Sequence, residues 1–432
     1  MKDKQGSMRY ILFLFFLYES ILWGSFNATI IDKTTSLPIA NAIISDSKLS
    51  VKSDQNGTFV YESDEERLHI KAYGYRPYKL NMEDNGTVVK LEPITVKALY
   101  LSFWRASNNS PRLKEILEII EQTEINTIVV DVKNEYGSTS YKTSFEKANG
   151  YGAHEDRTNR NIEQFIELMK SRNIYTIARV VTFKDELQAS NNPEYAIKKE
   201  DGTIWRNHDD MAWVDPFDKR AHEYTVSIAE DAAKVGFDEI NFDYIRFPAK
   251  TGLLFSKENT EESRIQAISE FLQLAQSRLR KYGVFISVDT YGNVCWEEND
   301  IGIGQKIESL SKYADYISPM LYPSGFSKGS FGLENPAEHP HAVIFKSLKN
   351  IEHKIDSKRL RPWLQSFRDY AHTKIAYNYF EINEQIRAAE DTNSGGWMLW
   401  SPSSKYKASY FMVEEKSVLT FDSSRGNQEY ID

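Results

Sequence analysis

The sequence lacks the features that would give it disulfide cross-links, a nucleic-acid partner or a membrane span. Its 432 residues include one cysteine, Cys295, which excludes an intramolecular disulfide. The formal net charge of -9, without a basic patch, argues against binding to nucleic acid, whose phosphates require a positive surface. No apolar run reaches the roughly 20 residues that a membrane-spanning helix needs. We therefore expect a protein that has no intramolecular disulfide bonds and does not bind nucleic acid.

A shorter apolar run stands at the N-terminus. Basic residues precede it, YILFLFFL forms it at positions 10–17, and the small residues Gly24 and Ser25 follow. This order predicts a signal peptide over residues 1–25. We expect a secreted or periplasmic protein with no stable membrane insertion after cleavage. The alternative is a protein anchored to the membrane by an uncleaved signal.

Residues 26–96 contain short alternating segments separated by turn residues. Asn56-Gly57 and Asn85-Gly86 are typical of hairpin turns, and the pattern predicts a small all-β sandwich domain. The segments PIANAIIS, SDQNGTFVY and IKAYGYRPY resemble the carboxypeptidase regulatory-like domains of secreted bacterial proteins. That resemblance implies a spacer or binding module.

Residues 97–415 alternate predicted strands with amphipathic helices, and a tail over residues 416–432 follows. Eight strands in strict alternation with helices predict an α/β fold, a (β/α)8 TIM barrel. A doubly wound open sheet is the alternative, but it would carry a Gly-rich phosphate loop where this chain has RASNNSPR. The predicted strands cover approximately residues 98–105, 126–134, 174–183, 239–247, 284–291, 316–322, 361–367 and 396–401.

The stretch FDEINFDYIRFP, residues 237–248, carries polar residues where a buried strand should be apolar. Strand alternation puts Ile240, Phe242 and Tyr244 on one face and Asn241 and Asp243 on the other. A carboxylate and an amide on the inner face of a barrel need polar partners or a ligand. Because TIM-barrel active sites form at the C-terminal ends of the strands, Asp243 is predicted to lie in one.

Several other strands also end in polar or aromatic residues on their predicted inner faces. Each has a structural alternative, since a lone Asp can cap a helix and Trp363 or Trp400 can fill the core. Arg179 and Arg246 could keep a carboxylate ionised, although alternation turns Arg246 outward unless the strand bends before Pro248. Their combination at one end of the barrel favours a functional site. The predicted group comprises Asp131, Lys133, Arg179, Asp243, Asp289, Tyr322, Trp363, Gln365 and Trp400.

GFDEINFDYIRFP, ARVVTFKD, DVKNEYG and YADYISPMLYPSGF resemble a bacterial family of inferred glycoside hydrolases with a TIM barrel, distantly similar to the α-amylase group. The resemblance covers residues 99–402 and departs at Gly325 and Phe326, where members often carry His-Tyr. In α-amylase-like barrels an Asp ending the fourth strand is the nucleophile and a carboxylate ending the fifth is the acid. Asp243 and Asp289 hold those places. Chitinase-like barrels instead carry a catalytic Glu where this chain has Ile245.

The residues and the resemblance together predict a glycoside hydrolase that cleaves a polysaccharide or oligosaccharide with two carboxyl groups. Asp243 is the predicted nucleophile or base, and Asp289 is the predicted acid. No metal or other cofactor is predicted, because no paired histidines accompany the strand-end carboxylates. The alternative function is a non-catalytic polysaccharide-binding barrel that acts in export or cell-surface glycan handling. The predicted substrate-binding residues are Asp131, Lys133, Arg179, Tyr322, Trp363, Gln365 and Trp400.

Overall fold

The computed structural model describes residues 24–411, which form a β domain followed by a closed barrel. The apolar run of the predicted signal peptide and the predicted tail at residues 416–432 lie outside the described residues. Within residues 24–411, no helix is long and apolar enough to cross a membrane.

The β domain consists of two sheets that enclose one apolar core. A three-stranded sheet has the order β4-β1-β7, and a four-stranded sheet has the order β3-β2-β5-β6. Phe26, Ile30 and Leu68 are fully buried between them. The prediction of an all-β N-terminal domain is confirmed, and its resemblance to carboxypeptidase regulatory-like domains stays a prediction. The strands are β1 Gly24–Asp32, β2 Ile43–Ser45, β3 Ser50–Lys52, β4 Thr58–Ser63, β5 Arg67–Lys71, β6 Tyr78–Asn81 and β7 Val88–Leu91.

Eight parallel strands close the barrel in the order β10-β12-β14-β15-β16-β17-β8-β9. All eight lie within a residue or two of their predicted starts, so the TIM barrel is confirmed and the open sheet is excluded. Two short strands, β11 (Lys198–Lys199) and β13 (Leu253–Leu254), pair with each other outside the barrel. The barrel strands are β8 Val96–Leu101, β9 Thr127–Lys133, β10 Tyr175–Val181, β12 Glu239–Asp243, β14 Phe285–Tyr291, β15 Tyr316–Met320, β16 Trp363–Gln365 and β17 Gly396–Trp400.

Helices surround the barrel and bury one apolar face each against it. In α3, Asn161 caps the first turn by accepting the Gln164 N–H, and Phe165 and Met169 are buried. Gly236 ends α5 in the left-handed conformation that glycine adopts most readily. The helices are α1 Pro111–Gln122, α2 Glu146–Gly150, α3 Ile162–Ser171, α4 Glu186–Asn191, α5 Lys219–Val235, α6 Glu261–Leu279, α7 Ile307–Leu310, α8 Pro340–Ile351 and α9 Tyr379–Asp391.

Alternation along the strands creates two separate apolar cores. Outward residues such as Val130 and Phe242 pack among the helices, whereas inward residues such as Val129, Ile177 and Phe285 fill the lower barrel. The outward face predicted for Ile240 and Phe242 is therefore confirmed. The polar residues that alternation turns inward must lie above this inner core.

Strand β12 is shorter than predicted. It ends at Asp243 rather than at Phe247, because Tyr244 has a φ of 49° and leaves the extended conformation. A tyrosine in the left-handed region is uncommon and costs about 1–2 kcal/mol, since Cβ crowds the carbonyl oxygen. This turn directly follows the carboxylate at the end of the strand.

The N-terminal end of the barrel contains a buried ion pair. Arg361 Nη1 lies 2.5 Å from Glu239 Oε2, with both side chains at most 1% exposed. The Tyr175 hydroxyl donates to the same carboxylate oxygen at 3.0 Å. Glu239 is thus occupied at this end of the barrel, as expected from its place at the start of β12.

The β domain covers this N-terminal end. Lys71 reaches across the domain boundary to Asp315 Oδ2 at 2.8 Å and donates to the Val284 carbonyl at 3.1 Å. Tyr73 packs edge-on against Tyr316 with ring centroids 5.7 Å apart. The C-terminal ends of the strands face away from the β domain and are left open.

Candidate active site

Arg179 joins two carboxylates at the C-terminal ends of neighbouring strands. It lies on β10 between Asp131 of β9 and Asn241 of β12 in the strand register. Its Nη1 lies 2.6 Å from Asp131 Oδ1, and its Nε donates to Asp243 Oδ2 at 3.0 Å with support from Nη2. The guanidinium is 4% exposed. Three of the predicted residues therefore form one buried charged group.

Asp131 is held by further donors from β8 and the segment after it. The Tyr100 hydroxyl donates to Asp131 Oδ2 at 2.6 Å, and the Phe103 N–H donates to the same oxygen at 3.1 Å. Burial raises the pKa of Asp131, and the charge of Arg179 opposes that rise. Asp131 does not line the cavity described below, so within residues 24–411 it contacts Arg179 rather than open space.

Asp289, at the end of β14, is a buried carboxyl with neutral hydrogen-bond partners. Its Oδ1 accepts from Trp363 Nε1 at 2.7 Å and from Asn241 Nδ2 at 2.8 Å. Burial raises the pKa of Asp289 well above its usual range, and the nearby charge of Asp243 raises it further. The other oxygen, Oδ2, accepts no hydrogen bond from residues 24–411. A proton on Oδ2 would therefore face the cavity without displacing a partner.

A cavity of about 340 Å³ opens above the two carboxyl groups. One wall is aromatic: Trp400 stacks on Tyr100 with centroids 3.8 Å apart, and Trp363 meets the Trp400 ring edge-on at 5.5 Å. Flat apolar walls with a few polar groups suit the faces and hydroxyls of a sugar. The predicted residues that line this cavity are Arg179, Asp243, Asp289, Tyr322, Trp363 and Trp400.

Lys133 and Gln365 lie outside the cavity. Lys133 is fully buried against Asp185, with Nζ to Oδ2 at 2.8 Å. Gln365 donates to Ser324 Oγ at 2.7 Å and accepts from the Ser324 N–H at 3.1 Å, which holds the loop after β15. Strand parity assigned both side chains to the inner face, but Lys133 also donates to the Val181 carbonyl at the end of β10 at 2.6 Å, and the Gln365 side chain bonds to loop residues.

The cavity also includes residues outside the predicted group of site residues. The turn at Tyr244 brings Arg246 to the wall, and the ends of β14 and β16 add residues from the loops that follow them. The strand bends at Tyr244, before Pro248, as required for Arg246 to face the barrel lumen. The other signal available in the sequence was aromatic residues directly after strand ends. The additional lining residues are Tyr244, Arg246, Tyr291, Gly292, Asn293, Met320, Gly325, Phe326 and Tyr370.

The described residues were compared with the requirements of a metal site. Within residues 24–411, no group of three or more His, Cys, Asp or Glu side chains has the geometry to hold a metal ion. The carboxylates at the strand ends are instead paired with Arg179 or hydrogen-bonded to neutral groups.

A family model described as "Putative glycosyl hydrolase domain", DUF4015, matches residues 98–406, nearly the whole barrel. The chain belongs to this family. Asp131, Arg179, Asp243 and Asp289 all lie inside the matched range, so the site is part of the glycosyl hydrolase domain. Among curated proteins, none matches the chain.

The chain is similar to several solved structures. A hypothetical protein from Ruminiclostridium thermocellum is 34% identical, with 44% of this chain and 96% of that chain covered, at a TM-score of 0.39. The PgaB (BpsB) glycoside hydrolase domain from Bordetella bronchiseptica is 12% identical, with 72% and 95% covered, at 0.55. The alpha-L-fucosidase isoenzyme 2 from Paenibacillus thiaminolyticus is 10% identical, with 74% and 48% covered, at 0.50. The last two are similar in fold.

Proposed function

We propose that this glycosyl hydrolase domain cleaves a polysaccharide by acid and nucleophilic or base catalysis, with Asp289 as the acid and Asp243 as the nucleophile or base. The observation that carries the proposal is the contrast between two carboxyl groups in one cavity. Asp243 forms a buried ion pair with Arg179. Asp289 forms no ion pair within residues 24–411, and burial and the charge of Asp243 raise its pKa despite the opposing charge of Arg179. Glycoside hydrolysis requires this division between a carboxylate and a carboxylic acid.

The reaction then follows from the positions of the protons. Asp289 gives its proton to the glycosidic oxygen as the bond from that oxygen to the anomeric carbon breaks. Asp243 either bonds to the anomeric carbon or takes a proton from the water that attacks it. Water supplies the hydroxyl of the new reducing end, and a water proton returns to Asp289 if Asp243 is the nucleophile. NMR of the first-formed anomer distinguishes these two routes.

The aromatic walls suit sugar binding. Trp363 has a double role, because its ring lines the cavity while its Nε1 holds Asp289 Oδ1. Trp400 is fixed by stacking on Tyr100, which limits the entropy lost when a sugar ring packs against it. Tyr322 supplies a further aromatic surface in the cavity. We assign these three residues to substrate binding.

The test is release of reducing ends from a panel of bacterial and plant glycans by wild type, Asp243→Asn and Asp289→Asn. Both substitutions keep the side-chain shape, and each is expected to lower kcat by about 10²- to 10⁴-fold or more. Asp391→Asn, on the half-exposed end of α9, is the matched control. Glycan binding without new reducing ends in the wild type would favour the non-catalytic alternative.

Substrates with different leaving groups distinguish the acid role of Asp289 from the nucleophile or base role of Asp243. An aryl glycoside whose leaving group needs no protonation should restore cleavage in Asp289→Asn but not in Asp243→Asn. Only protonated Asp289 is active, so wild-type activity falls as pH rises through its raised pKa. Asp289→Asn should lose that decline with the aryl substrate. Equal rescue of both variants would contradict the assignment.

We also propose that the protein is exported and that the substrate is outside the cytoplasm. The support is the predicted signal peptide over residues 1–25, most of which lies outside the described residues. N-terminal sequencing of protein from periplasm and medium tests this. A mature form that begins near residue 26 is expected, and an uncleaved membrane-associated form would favour the anchored alternative.

A further inference from the structure

Arg246 lines the cavity without a carboxylate partner among residues 24–411. The other cavity arginine, Arg179, has two, Asp131 and Asp243. The only hydrogen bond from Arg246 within these residues goes from Nη1 to the Phe247 carbonyl, at 3.0 Å. Most of its five N–H donors therefore have no protein acceptor.

Aromatic rings fix the guanidinium in place. Its central carbon lies 5.0 Å from the centroid of Trp213 and 5.3 Å from that of Tyr244. The left-handed turn at Tyr244 creates this arrangement, because a continued strand would turn Arg246 toward the helices. A guanidinium held against rings is preorganised, so little side-chain freedom is lost when its free edge binds an acceptor.

The charges around Arg246 favour an anion as that acceptor. Burial lowers the pKa of Arg246, yet an arginine stays protonated, so its charge is held at an energetic cost. Asp243 offsets part of that charge, but its own oxygens are engaged by Arg179 and the Tyr244 N–H. Asp289 contributes no charge while it is protonated. A ligand oxyanion would supply the missing partner.

We propose that the glycan is acidic and that Arg246 binds its anionic group, a uronate carboxylate or a sulfate ester, through two parallel hydrogen bonds. Planar or tetrahedral oxyanions match the fork of a guanidinium better than single hydroxyls do. Tyr291 and Asn293 line the same cavity, and we assign them to contact with the ring that carries the anion. The location of this subsite rests on the proposed function, since it lies beside Asp243 and Asp289.

The test is direct binding, which does not require turnover. Tryptophan fluorescence follows titration of the wild type with glucuronate, glucose 6-sulfate and glucose, since Trp213 contacts Arg246. One acidic sugar is expected to bind about 10- to 100-fold more tightly than glucose, the range for a charge-assisted hydrogen bond. The tighter of the two acids identifies carboxylate or sulfate. Added salt should weaken that binding and leave glucose binding unchanged.

Variants attribute the preference to Arg246. Arg246→Gln should remove it, Arg246→Lys should keep part of it because the charge remains without the fork, and the exposed Arg387→Gln on α9 is the control. If Arg246→Gln does not fold, a partial loss of the preference for the acidic sugar in Arg246→Lys tests the role of Arg246 instead. Equal binding of glucose and both acids, no binding of either acid, or a preference that survives in both Arg246 variants would overturn the proposal. Cleavage of neutral glycans that depends on Asp243 and Asp289 would leave the proposed function intact while excluding the acidic subsite.

Discussion

Replacing Arg179 by methionine tests whether the buried charged group is the structural basis of the site. The side chains of Arg179, Asp131 and Asp243 are 4%, 4% and 8% exposed, so water cannot replace the lost partner. Removing one member of a buried ion pair costs about 3–5 kcal/mol. Because one substitution leaves two carboxylates unpaired, we expect a loss at the upper end of that range.

Thermal and urea unfolding measure this loss. At about 2 °C per kcal/mol, the low end for a large domain, a loss of about 4–5 kcal/mol in Arg179→Met should lower Tm by about 8–10 °C. Turnover should also fall, because Asp243 loses the hydrogen-bonded partner that holds its carboxylate in position.

A double-mutant cycle locates the cause. In Arg179→Met with Asp131→Asn, one of the two uncompensated charges is absent, so the double variant should be more stable than the sum of the single effects predicts. The expected coupling is about 1–3 kcal/mol. Strictly additive effects, or a single variant within about 1 kcal/mol of wild type, would refute the electrostatic account.

Two further substitutions separate the roles of neighbouring residues. Trp363→Phe removes the N–H that stabilises the anionic form of Asp289 and so raises the pKa of that carboxyl further. The alkaline limb of the pH–activity profile should therefore move to higher pH. A shift of that limb to lower pH would contradict the role of Asp289 as the acid. Lys133→Met leaves Asp185 buried without a counter-charge and should cost about 3–5 kcal/mol of unfolding free energy while KM stays unchanged. A raised KM with normal stability would indicate that Lys133 contacts substrate.

The order and alternation of the barrel strands could be predicted because burial imposes a period of two on each of them. Asp131, Arg179, Asp243 and Asp289 share the inner face for that reason, and parallel strands bring their C-terminal ends together. Periodicity could not reveal the register shift between Arg179 and Val180, where β10 pairs with Asp131 and then directly with Lys133. The inward–outward alternation that holds up to Asp131 therefore does not predict the direction of the Lys133 side chain.

The surroundings of Arg246 also could not be predicted from the local sequence pattern. The sequence FDYIRFP continues an extended alternation through Tyr244. Tertiary contacts of Tyr244, among them those with Trp213 and Lys184, offset its unfavourable backbone conformation. Trp213 lies some thirty positions away in the chain, as the sequence numbering shows. No local signal links it to Arg246.

The contact between the β domain and the barrel has a consequence for how the protein unfolds. Tyr73 from the β domain joins the apolar cluster inside the barrel, where it packs on Tyr316, and Lys71 neutralises Asp315. Melting the β domain would expose that cluster to water and leave Asp315 without its cation. We therefore expect a single calorimetric transition for both domains, and a barrel expressed without residues 26–96 should be prone to aggregation.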